Sequence, residues 1–191
     1  MASFPKRVYW DACTWIALIQ KEKIRDPNTG RLIEDREQMC RDVIEAANKG
    51  KIEIVSSTLC LAEVCKHPEL RKEKQSDQIA AYFEHDFILL VDVDIFVGER
   101  ARDLMLGGYS GLKPPDAIHV ATALIAPRVE EMHTFDDKLL NLHNRIDTEA
   151  GERLGVKKPN TGERSPPLLG HIEKSQENEN STPTQDITGR P

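Results

Sequence analysis

Four acidic side chains stand where an α/β fold does its chemistry. Asp11 follows the short apolar run Arg7–Trp10 directly, and Glu63 lies one turn into the helical segment after Ile52–Val55. Asp116 opens a helix entered through Pro114-Pro115, and Asp136 follows the run Val129–Phe135 in Thr134-Phe135-Asp136-Asp137. Ligands of open parallel sheets bind beyond the carboxyl ends of the strands. Four carboxylates from four separated segments are therefore expected to converge on one end of a sheet. Like charges packed together are costly unless something neutralises them, and hard oxygen ligands point to Mg²⁺ or Mn²⁺. One or two such ions suit phosphodiester hydrolysis, because the metal activates a water and stabilises charge on the phosphate oxygens. The chain has 32 Asp and Glu residues, and many open helices, where the dipole favours them. Capping alone accounts for any one of Asp11, Asp116 or Asp136 as well as catalysis does; the joint pattern is what points to a site.

The elements that must position these acids alternate between short apolar runs and helix-period segments. After the first strand, Cys13–Gln20 reads as a helix and Asp26–Gly30 as turn chemistry. Glu34–Lys49 is an amphipathic helix with Met39, Val43 and Ala47 four apart, closed by Gly50. Ser57 or Thr58 can cap the helix that holds Leu61 and Val64, Pro68 ends it, and a further helix is expected over Lys74–Glu84. Phe87–Val91 is wholly apolar, as for a strand buried on both faces. Ile95–Leu106 is a helix stopped by Gly107-Gly108, Asp116–Ile125 the next, Val129–Phe135 a strand, and Asp137–His143 a last short helix. This order implies a parallel sheet covered by helices on both faces.

Length and composition bound the rest. The chain has 191 residues with 39% apolar, 30% charged and 5% aromatic content, within the usual range of a single domain. Its formal net charge of −6 argues against a grip on nucleic acid by bulk positive charge, though not against an enzyme that meets nucleic acid through metal ions. The longest apolar stretch, Phe87–Val97, is broken by Asp92 and Asp94, too short for a membrane span. The four cysteines form no CxxC pair and no secretory leader opens the chain, so a cytoplasmic protein with reduced thiols is expected. All ten aromatics lie at or before Phe135, whereas Lys157–Pro191 holds five of the eleven prolines. Residues 1–150 are therefore expected to form the domain and 151–191 a disordered tail. From Glu152 onward six acids and six bases cancel, so the excess negative charge belongs to residues 1–151.

The motifs around the four acids resemble those of the PIN-domain nucleases. Val8-Tyr9-Trp10-Asp11-Ala12-Cys13-Thr14-Trp15-Ile16 is similar to the opening of that family, and Ser57–Val64 to its second motif around Glu63. Pro115-Asp116-Ala117-Ile118-His119-Val120-Ala121-Thr122-Ala123 resembles the third motif, the most specific of the set, and Thr134-Phe135-Asp136 the fourth. The resemblance spans about residues 6–145. It implies a PIN-like three-layer α/β/α sandwich around a central, mainly parallel sheet of four to five strands. It also implies a Mg²⁺- or Mn²⁺-dependent endoribonuclease, a hydrolase of the kind found as the VapC-like toxin of bacterial toxin–antitoxin pairs. Asp11, Glu63, Asp116 and Asp136 are then the catalytic and metal-binding acids, with single-stranded RNA as substrate, an antitoxin protein as partner, a homodimer, and no membrane association. The family often carries a small hydroxyl or amide near the first Asp; Cys13 stands in one such place here, and Thr14 can supply the hydroxyl instead.

Neighbouring residues admit plainer roles. Asp137 is expected to cap the last helix, with Asp136 as the ligand. Thr134 either works in the site, orienting a carboxylate or contacting phosphate, or merely ends a strand; His119, on the same helical face as Asp116, can touch substrate or orient Asp116 but is expected to be a solvent-facing or packing histidine. Lys113, Lys138, Arg100 and Arg102 can supply positive charge for RNA phosphates or simply be solvated. Trp10 and Trp15 read as core or dimer interface. Cys60, Cys65 and His67 do not match the spacing of a zinc site. Two other functions compete. Phe87–Asp94 resembles the apolar strand plus Asp-x-Asp of haloacid-dehalogenase-like phosphatases, with Asp92 as nucleophile and Asp94 as acid, but Phe96 departs from that pattern, and Asp92 and Asp94 read as loop and helix cap. A PIN-like fold kept only as a binding scaffold is the other alternative; the intact set of four acids argues against it.

Overall fold

The computed structural model of the chain describes residues 4–66, 80–109, 111–148 and 150–162. Five strands form one all-parallel sheet: β1 (Lys6–Trp10), β4 (Ile52–Ser57), β5 (Ile88–Val91), β6 (Val129–His133) and β7 (Gly155–Lys157). Their order is β5-β4-β1-β6-β7. Tyr9 lies opposite Val55 of β4 and Met132 of β6, so β1 is central and flanked by parallel neighbours. Parallel strands need crossovers, and these are supplied by α1 (Ala12–Ile19), α2 (Arg36–Asn48), α3 (Leu59–Glu63) with the 3₁₀ turn Val64–Lys66, α4 (Ile95–Leu106), α5 (Pro114–Ile125) and α6 (Asp137–Leu140).

Alternation along the strands builds two cores. Val8 and Trp10 of β1 and Ile52 and Ile54 of β4 face α1 and α2, together with Trp15, Leu18, Cys40 and Val43. Tyr9 and Val55 point the other way, against Val97, Leu104, Val120 and Leu124 of α4 and α5. The expected α/β/α sandwich is therefore the observed one. Trp10 and Trp15 are fully buried and meet edge to face at 4.8 Å between ring centroids, a favourable aromatic geometry. Each also has a polar partner: Trp15 Nε1 donates to Ser56 Oγ at 2.8 Å, and Trp10 Nε1 to His133 Nδ1 at 3.1 Å. All four cysteines are free thiols. Among the described residues no helix is long and apolar enough to cross a membrane.

The structure departs from the sequence reading in three places. Lys23–Arg25 (β2) and Leu32–Asp35 (β3) form a separate antiparallel hairpin around the Asp26–Gly30 turn; its largely exposed flanks carry no apolar alternation to announce it. The run expected to be buried on both faces, β5, is an edge strand with Leu90 exposed. A continuous apolar stretch reports hydrophobicity and not position in the sheet. The sheet also continues past residue 150, through β7. Leu154 and Val156 are buried, and β7 pairs with β6, setting His133 opposite Lys157. Three residues with one apolar side chain between Gly155 and Lys157 are too short to read as a strand. Of the helix expected over Lys74–Glu84, residues 80–83 are helical and residues 74–79 lie outside the described residues, as do His67, Pro68 and residues 163–191 of the expected tail.

Candidate active site

Asp11 sits at the end of the central strand, where the chain turns into α1. Its extended backbone makes it the N-cap, and Oδ1 accepts the Thr14 amide at 3.0 Å, satisfying one of the amides a helix start leaves without a partner. The Thr14 hydroxyl lies between Asp11 Oδ1 at 3.0 Å and the His133 carbonyl at 3.1 Å. The Cys13 thiol packs against the same carboxylate, 3.0 and 3.2 Å from its two oxygens. Burial first, then the charge of Asp11, pushes that thiol well above its ordinary range. Cys13 is therefore a protonated donor toward Asp11 and no nucleophile. Its sulfur in turn accepts the Phe135 amide at 3.2 Å.

The other oxygen of Asp11 defines a hub. Thr134 Oγ1 donates to Asp11 Oδ2 at 2.6 Å and accepts the Asp136 amide at 3.0 Å. The Thr134 amide donates to the Lys157 carbonyl of β7 at 2.9 Å. Of its two readings, Thr134 thus takes the orienting one: it ties the first acid to the backbone of the fourth. Asp136 is itself the N-cap of α6, with Oδ1 accepting the Lys138 amide at 2.7 Å. The sequence points to Asp137 as the cap, but Asp137 is the exposed first residue of that helix. Asp136 wins because its backbone is extended and Thr134 holds its amide.

Asp116 stands in the first turn of α5, after Pro114 and Pro115, and its Oδ2 accepts the Lys113 amide at 3.3 Å. Its carboxyl is raised above the ordinary range by burial and then by the charge of Asp136; the Lys113 amide and the Lys113 ammonium oppose the shift. Two acids from distant segments thus feel each other. Asp116 Oδ1 and Asp136 Oδ2 accept no hydrogen bond among the described residues.

Glu63 closes α3, buried at 6% exposure. Its Oε2 lies 2.6 Å from Nε2 of His119, and His119 Nδ1 lies 2.7 Å from the Tyr9 hydroxyl. The Tyr9 oxygen accepts the Ser57 amide at 3.2 Å. The bonds run in one direction when Tyr9 O–H donates to Nδ1 and Nε2–H donates to Glu63. Burial first, then the charges of Cys60 and Asp11, pushes the Tyr9 phenol well up, so it stays a protonated donor. His119 is therefore neither solvent-facing nor mere packing; it holds Glu63. Tyr9 and Ser57 belong to this network and escape sequence reasoning, because a tyrosine inside an apolar strand reads only as core.

The structure links Asp11 to Asp136 through Thr134, sets Asp116 within reach of the charge of Asp136, and has Glu63 held by His119 of α5, one turn after Asp116. Among the described residues, no three His, Cys, Asp or Glu side chains stand close enough to hold a metal ion as they are. The donors fit a hard divalent cation in kind: they are carboxylates, two of them repel, and each of those two keeps an oxygen without a hydrogen bond.

The profile of the PIN domain family matches residues 8–144, from within β1 to just past α6. The chain is a PIN-domain protein. No curated protein sequence matches it. The PIN domain also superposes on the crystal structure of VapC20 from Mycobacterium tuberculosis, a sarcin–ricin loop cleaving toxin, with a TM-score of 0.50 at 15% identity. That match covers 68% of this chain and 90% of that one, and the likeness is one of fold. Asp92 and Asp94, the pair of the rival phosphatase reading, follow the edge strand of this PIN domain. Asp94 is occupied in capping α4, its Oδ1 accepting the Val97 amide at 3.0 Å.

Proposed function

We propose that this PIN-domain protein is a Mg²⁺- or Mn²⁺-dependent endoribonuclease that hydrolyses RNA phosphodiester bonds, acting as the toxin of a toxin–antitoxin pair. The observation that carries the reading is the hub at the carboxyl end of the sheet: Asp11 and Asp136 share Thr134, and Asp116 responds to the charge of Asp136. Each of the three also accepts an amide at a helix start, a role that Asn or Ser fills as well. Family membership and the fold likeness to a VapC toxin support the same class of chemistry.

In this reading Asp11, Asp116 and Asp136 would hold the ion, directly or through water, and Glu63 would hold or complete a second position. When bound, the ion supplies an activated water and stabilises charge developing on the phosphate. The protein orients its ligands in advance. Thr14, Cys13 and Thr134 fix the Asp11 carboxylate, the α6 amides fix Asp136, and His119 fixes Glu63. The substrate is single-stranded RNA, the partner an antitoxin protein, the working form a homodimer and the compartment the cytoplasm.

Cleavage of RNA by the purified chain tests this, with Mg²⁺, with EDTA, and with Asp116→Asn. Cutting is expected only in the presence of the metal and of Asp116. Cleavage that persists in EDTA would overturn the metal-dependent mechanism, and full activity in Asp116→Asn would overturn the site.

A further inference from the structure

A cleft of about 640 Å³ opens between the loop after α4 and the segment of α6, lined by Gly107, Gly108, Tyr109, Lys138, Asn141 and Arg145 above the buried Leu142. Its walls belong to the segments that carry two of the acids. The loop after α4 runs on into Lys113 and the first turn of α5, where Asp116 sits, and α6 is the helix that Asp136 caps.

Two of the lining side chains, Lys138 and Arg145, are exposed cations. Among the described residues neither has a carboxylate partner, whereas Arg102, Arg153, Lys157 and Lys158 each do. In a chain of net charge −6, two uncompensated cations on one concave surface select for an anion. The lysine stem and the backbone that carries the arginine are held in place. A Cβ on Gly111 would lie 3.8 Å from Lys138 Cδ, so the lysine stem lies along the loop. Arg145 stands between the buried Leu142 and Ile146, with its amide on the Leu142 carbonyl at 2.9 Å and the Asn144 amide on the Leu154 carbonyl at 3.1 Å.

We propose that this cleft binds a phosphodiester group of a single-stranded RNA, to one side of the bond that is cut, with Lys138 and Arg145 as its cations. The inference rests on the ribonuclease reading above. An RNA strand that approaches the acids carries like charge toward them, so its neighbouring phosphates need cations next to the site, and Lys138 follows Asp136 by two residues. The arginine fork suits two phosphate oxygens at once. Such contacts position a strand without reading its bases.

The test is fluorescence anisotropy of a short labelled single-stranded RNA with the full chain in EDTA, with gels to show that the RNA stays intact. The double variant Lys138→Gln/Arg145→Gln is expected to bind roughly tenfold or more weakly. The slope of log affinity against log salt should fall by about 1.4, two phosphate contacts at about 0.7 each. Lys21→Gln/Arg31→Gln removes the same charge elsewhere and should leave both quantities unchanged. If the cleft variant binds like the wild type while the wild type still cuts RNA in Mg²⁺, the cleft assignment falls and the ribonuclease reading stands. An equal loss in the control pair means bulk charge and overturns the assignment too. If poly-glutamate displaces RNA as well as unlabelled RNA does, the cleft takes acidic peptide and the RNA assignment is wrong. If the wild type neither binds nor cuts RNA, both readings fall.

Discussion

Replacing Thr134 by valine keeps the volume of a fully buried side chain and removes one hydroxyl. That hydroxyl makes a 2.6 Å bond to the Asp11 carboxylate and accepts the Asp136 amide. A hydrogen bond to a charged group contributes about 1.5–3 kcal/mol, and this one is short, as charge-assisted O–H···O⁻ bonds are. Asp136 is half-buried, so water can partly replace the lost acceptor of its amide, and that loss adds about 1 kcal/mol. The expected cost of Thr134→Val is therefore about 2–4 kcal/mol. At roughly 2–4 °C per kcal/mol for a domain of this size, Tm should fall by about 5–15 °C. Thr134→Ser, which keeps the hydroxyl, should recover most of it. Urea unfolding of the three proteins measures the difference directly. A loss below about 1 kcal/mol in the valine variant, or a serine variant no better than valine, would refute the hub.

Three further outcomes are expected. Asp116 is raised by burial and by Asp136, so its ionised form opposes folding; Asp116→Asn should raise Tm at neutral pH while abolishing cleavage, and a lowered Tm would contradict the repulsion. Tyr9→Phe removes the partner of His119 and leaves the buried Ser57 amide without an acceptor, which should cost about 1–3 kcal/mol in urea unfolding; an unchanged midpoint would show the chain of bonds to be idle. Glu131 is held well below the usual carboxylate range by His133, then by the Lys6 and Lys157 ammonium groups, against burial. A depressed acid stabilises the fold above its unfolded pKa, about 4.3, and that contribution drains away as pH falls below it. Glu131→Gln should thus flatten the loss of stability on going from about pH 5 to about pH 3, as read by thermal melts across that range.

What the sequence reveals and conceals here has physical reasons. Pro114-Pro115-Asp116 followed by a helix-period run is local information, and so is an apolar strand that ends at Asp11. Helices and strands built on such patterns fall where expected. The pairing of Glu63 with His119 crosses 56 residues, and that of Asp11 with Thr134 crosses 123; no spacing rule along the chain encodes either contact. The edge position of β5 is hidden for a similar reason, since Phe87-Ile88-Leu89-Leu90-Val91 would look the same in the centre of the sheet. The cap at α6 was misplaced by one residue because two adjacent aspartates compete for it. Only the hydroxyl of Thr134, which holds one of their amides, decides between them.

The bond from the Thr134 amide to the Lys157 carbonyl bears on how the protein can be cut. The family match stops at residue 144, and a boundary drawn there, or at residue 150, removes β7. Such a truncation would leave every acid of the site in the polypeptide. It would also strip the strand that anchors Thr134 and open the edge of β6 on which His133 and Thr134 sit. The smallest fragment that keeps the acids in register is therefore longer than the smallest fragment that contains them, and it must reach at least to Lys157.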